Sequence, residues 1–66
     1  MTSEARKPEC KLVGEDGNVF NLVGLASRAL KQDGQREQAK EMQGRVFASG
    51  SYDEALQIIM EYVDAY

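Results

Sequence analysis

The stretch from Tyr52 to Tyr66 sets the strongest constraint on how this chain folds. At about 100° per residue, Tyr52, Ala55, Leu56, Ile58, Ile59, Met60, Tyr62, Val63 and Tyr66 cover about 200° of a helix. Asp53, Glu54, Gln57, Glu61 and Asp64 share the arc opposite. An apolar arc that wide exceeds the stripe a surface helix needs. The remaining chain must therefore cover this helix from two sides, or a second copy must cover part of it. With 66 residues in all, there is material for a single small domain.

Local signals divide the rest. Gly50 stops one helix, and Ser51 with Glu54 three residues later opens the next as a capping box. Asp33-Gly34 is a glycine stop of the same kind. These marks predict helices over about residues 22–33, 35–48 and 52–65. Asn21 is the expected N-cap of the first, with Phe20 and Leu25 as a hydrophobic staple. The second has a thin core stripe, Ala39, Met42 and Val46, and reads as an exposed wall. Its Glu41 and Arg45 are spaced to pair along one face.

Ahead of the helices, Cys10-Lys11-Leu12-Val13 and Val19-Phe20 flank Gly14-Glu15-Asp16-Gly17-Asn18. Asp-Gly and Gly-Asn tolerate positive φ at the tip of a tight turn, so residues 10–20 read as a β-hairpin. Leu12 and Phe20 are the side chains expected to face the helices. Residues 1–8 read as a polar tail and 9–66 as the domain. The expected class is α+β, mostly helical: an N-terminal β-hairpin followed by three short helices.

Missing residue types restrict the chemistry. There is no histidine and only one cysteine, Cys10, so no disulfide framework, histidine metal site or usual catalytic triad can be assembled. Glu15, Asp16 and Asn18 cluster, but they lack the alternating ligands and distal glutamate of a calcium loop. The carboxylate pairs Asp53/Glu54 and Glu61/Asp64 fall on a solvated helix arc. The sequence therefore predicts no enzyme activity, no catalytic residues, no metal and no cofactor. Residues 1–8 hold no apolar run that would make a signal peptide. Apolar runs such as Ile58-Ile59-Met60 fall far short of the ~20 residues that span a bilayer. A lone cysteine suits a reducing compartment, so a cytoplasmic location is expected, without membrane association.

The run Lys11-Leu12-Val13-Gly14-Glu15-Asp16-Gly17-Asn18-Val19-Phe20, with Ser49-Gly50-Ser51-Tyr52-Asp53 and Glu61-Tyr62-Val63, resembles a group of short uncharacterised proteins. That group occurs in bacteria and their phages or plasmids. The resemblance implies a bacterial, mobile-element origin and no particular activity.

Charge is segregated although the net value is only −3. Residues 22–47 carry five basic and three acidic side chains, whereas residues 48–66 carry four acidic and no basic ones. Two functional readings emerge. The first is a protein–protein interaction module, self-associating as a homodimer or binding another protein. Its expected interface is Ile58 and Met60, at the borders of the wide apolar arc, with Tyr66 near the chain end. The second is a small nucleic-acid-binding or regulatory protein. It would use Arg28 and Lys31 on the first helix and Arg36 and Lys40 on the second as one basic edge.

Overall fold

A computed structural model describes residues 7–66. Asn18 starts the first helix. Its side chain accepts from the Phe20 amide at 2.8 Å, while Asp16 Oδ1 accepts from the Asn18 amide at 3.1 Å. Asn21 Nδ2 closes the same turn by donating to the Asp16 carbonyl at 2.9 Å. The polar run therefore caps helix α1 (Val19–Gln32) rather than tipping a hairpin. This replaces Asn21 as the N-cap and draws Val19 and Phe20 into the helix, leaving no staple. The positive φ in the run belongs to Gly14, at 85°, where the Glu15 amide bonds back to the Leu12 carbonyl.

With its second arm converted to helix, the hairpin over residues 10–20 does not form. Strand β1 (Glu9–Cys10) instead pairs in parallel with β2 (Asp64–Ala65), in register Glu9 to Asp64 and Cys10 to Ala65. The Asp64 amide donates to the Pro8 carbonyl at 2.8 Å and the Tyr66 amide to the Cys10 carbonyl at 3.1 Å. Leu12 and Val13 extend the pairing, both amides reaching the Tyr66 carbonyl. A parallel pair needs a long crossover, and here all three helices supply it.

Gly34, at φ 79°, ends α1. The Gln35 amide returns to the Leu30 carbonyl and the Gly34 amide to Lys31, which is a Schellman stop. Helix α2 (Arg36–Phe47) comes next. Helix α3 (Tyr52–Tyr62) opens on Ser51, whose hydroxyl accepts from the Glu54 amide at 3.1 Å. Glu54 in return accepts from the Gly50 amide. This helix does not reach residue 65 as its apolar arc predicts. It ends at Tyr62 because Val63 turns extended, at φ −131° and ψ 155°, and leads into β2.

The fold is thus mostly helical α+β, three helices beside a two-stranded parallel ribbon. Leu30, Met42, Ile59 and Val63 are its largest fully buried side chains. The thin α2 stripe Ala39, Met42 and Val46 is buried as its spacing predicts. Ser27, on the buried face of α1, accepts a 2.7 Å bond from Gln43 Nε2 and is thereby satisfied. Cys10 also belongs to this core, and burial pushes its thiol pKa up, with Glu15 adding to the shift.

Ile58 occupies the core with only 6% of its surface exposed, whereas Met60 is 47% exposed. Truncating the two should therefore give unequal losses. Ile58→Ala is expected to cost about 2–5 kcal/mol in urea unfolding, and Met60→Ala under about 1. Comparable losses at both positions would contradict the packing described.

Candidate functional site

Three surfaces merit a chemical account. The first lies where α1 begins, α2 ends and α3 starts. Phe20 sits in the first turn of α1, two residues ahead of the buried row begun by Leu22 and Val23. Phe47 comes after Val46, about 100° round α2 from the core stripe. Neither ring can enter the core, and they pack on each other at 5.8 Å between centroids with planes inclined by 38°. Phe20 is 68% exposed and Phe47 59%. Beside them Val19, Phe47 and Tyr52 line an open cleft of about 340 Å³, floored by residues 49–51.

Tyr52 holds this end together. Its hydroxyl donates to the Gly17 carbonyl at 2.5 Å, tying the start of α3 to the turn that caps α1. The same hydroxyl stands 3.4 Å from where a Cβ on Gly17 would lie. That is ordinary contact distance, so the Tyr52 hydroxyl packs against Gly17 without requiring glycine there.

The second surface is the closed end of the α1–α2 hairpin. Arg28 and Lys31 occupy the last turns of α1, and Arg36 and Lys40 the first turns of α2. All four are exposed or nearly so, and among the described residues none forms a salt bridge. The fold therefore brings the two pairs to adjoining ends of contacting helices.

The third is a polar clasp between α2 and α3. Arg45 does not pair with Glu41. Its guanidinium reaches Glu61 at 2.6 Å and the Tyr62 hydroxyl at 3.2 Å, and lies 5.7 Å from the centre of the Tyr62 ring. The Tyr62 hydroxyl in turn donates to Glu41 at 2.7 Å. Tertiary partners across the helix interface thus displace the local pair. The Arg45 hydrogen bond holds the Glu61 carboxyl below the ordinary glutamate range, and the guanidinium pKa moves upward. Partial burial raises the Tyr62 phenol, and its bond to Glu41 adds to this.

The interface expected at Ile58, Met60 and Tyr66 is not assembled as a unit. Ile58 is buried in the core cluster, whereas Met60 and Tyr66 are exposed. Phe20 and Phe47 instead form a mutually packed pair of exposed rings. The signal for Phe47 is present in its angular offset from Ala39, Met42 and Val46. That for Phe20 requires the cap at Asn18. Near the chain ends Lys7, Glu9, Asp33 and Asp64 line an open basin of about 520 Å³. No three carboxylate or cysteine groups among the described residues are placed to hold a metal ion. No described helix is long and apolar enough to cross a membrane.

Comparisons with protein-family models, curated proteins and solved structures gave no match.

The clasp makes a specific prediction about Glu61. A carboxyl with a depressed folded pKa contributes stability above its unfolded pKa, and that contribution is lost as pH falls through the folded value. Arg45→Gln should return the Glu61 titration upward toward the ordinary range, as read by carboxyl NMR. An unchanged Glu61 midpoint would remove Arg45 as the cause.

Proposed function

We propose that this protein is a non-enzymatic protein–protein interaction module, and that its contact surface is the aromatic end formed by Phe20, Phe47 and Tyr52. The observation that carries this reading is the pair of packed phenylalanines left in solvent on ordered helix ends. Large apolar side chains gathered with a cleft beside them mark contact surfaces more often than single exposed ones do. Aromatic rings are also among the side chains that dominate binding energy at protein interfaces. The cap at Asn18 and the bond from Tyr52 hold the two rings in place before a partner arrives, which reduces the ordering cost of binding.

The rings lie outside the buried core, so changing them should leave folding intact. Phe47→Ser and Phe20→Ser are expected to melt within a few degrees of the parent. A partner cross-linked to the parent in host extract should be lost from both variants. Retention of that partner by both would exclude this surface.

A second reading rests on Arg28, Lys31, Arg36 and Lys40, which stand at adjoining helix ends and are available to phosphate groups. Backbone contacts of this kind release counterions. Affinity for DNA should then fall steeply with salt, and reversing the four charges should abolish it. Affinity indifferent to salt and to those charges would dismiss nucleic acid as the ligand of this edge.

A further inference from the structure

The two-stranded ribbon has an open side, and its chemistry selects a partner. In the parallel pairing the carbonyls of Pro8 and Cys10 and the amide of Leu12 point toward β2. Backbone groups alternate along a strand, so those of Glu9 and Lys11 point the other way. The ladder register uses neither, and among the described residues no hydrogen bond outside the ladder engages the amide or carbonyl of either. Both side chains are exposed, while Cys10 between them faces the core.

We propose that this edge pairs with the same edge of a second copy, antiparallel about a two-fold axis through Cys10. In that register Glu9 faces Lys11 of the partner subunit, and Lys11 faces the partner's Glu9. Each opposed pair exchanges two main-chain hydrogen bonds. Charge selects the register. Centring the axis on Glu9 would oppose two glutamates, and centring it on Lys11 would oppose two lysines. Glu9 shares its basin with Asp33, Asp64 and Lys7, which leaves that corner net negative and favours an approaching Lys11. The outer edge of β2 offers less, since only Ala65 turns its main chain outward and Asp64 has no basic residue near it in sequence. The result is a four-stranded sheet that closes both inner edges. This surface is separate from the aromatic end, so either can fail alone.

The test uses complementary charge variants of the whole chain. Sedimentation of the parent in low salt should show mass rising toward a dimer with concentration. Lys11→Glu opposes two glutamates in each pair, and Glu9→Lys opposes two lysines. Each is expected to weaken self-association on the order of tenfold. Mixed together, the two variants present only unlike pairs and should associate again. Both changes are on exposed side chains, and circular dichroism checks that the helices persist. Phe47→Ser should leave the dimer unchanged. A parent that remains monomeric throughout the range would overturn the proposal. So would a dimer indifferent to both charge changes, or variants that stay apart when mixed.

Discussion

The joining of the chain's two ends is the interaction on which the rest of this architecture depends. Pro8 and Cys10 accept amide bonds from Asp64 and Tyr66, and the Leu12 and Val13 amides return to the Tyr66 carbonyl. These bonds satisfy main-chain groups that would otherwise be exposed or buried without partners. They also place Cys10 and Val63 in the same core as Ile58 and Ile59. Helix α3 is covered by α1 and α2, while the ribbon lies against α1 through β1. A chain this short buries only about 60% of its unfolded surface, so the side chains that this closure adds to the core matter to it.

The same closure explains why the wide apolar arc of the last segment is not a helix throughout. A helix continued to residue 65 would leave β1 without a partner. It would also carry Val63 and Tyr66 to whatever azimuth steps of about 100° dictate. Breaking at Val63 lets that side chain fill the core at 1% exposure, with Asp64 outward and Tyr66 at the rim. Local propensity does not require the break, because no glycine or proline stands there. Long-range hydrogen bonding makes it.

Much of the helical layout is legible from residues close in sequence. The stop at Gly34, the Ser51–Glu54 cap and the stripe of Ala39, Met42 and Val46 all report interactions within a few residues, and local rules read those well. The hairpin fails for a physical reason. Asp-Gly and Gly-Asn serve a tight strand reversal and a helix cap equally well, and the residues immediately downstream decide between them. Here Val19 and Phe20 open a periodic run with Leu22, Val23, Ala26 and Leu30, which favours the cap. The pairing of β1 with β2 is not legible at all. It joins residues more than fifty apart, and two-residue strands carry no alternation to recognise. The clasp escapes local rules in the same way, since Arg45 finds Glu61 only once α2 and α3 lie together.

The candidate surfaces are what the packing leaves over. Most polar side chains of the framework are committed: Ser27 to Gln43, Arg45 to Glu61, Tyr62 to Glu41, Ser51 and Glu54 to the helix start. No polar side-chain atom among the described buried residues lacks a partner. The uncommitted groups are external: two packed phenylalanines, four cations at a hairpin end, and the outward main chain of Glu9 and Lys11. Each offers a different force, namely apolar contact, charge attraction and directional hydrogen bonding. Of the three, charge attraction is the one that salt screens directly. Of these surfaces, the aromatic end combines a cleft beside it with a side-chain bond, from Tyr52, that ties the adjoining loops together. That combination of an apolar surface with a fixed frame is what supports the proposal that this end recognises another protein.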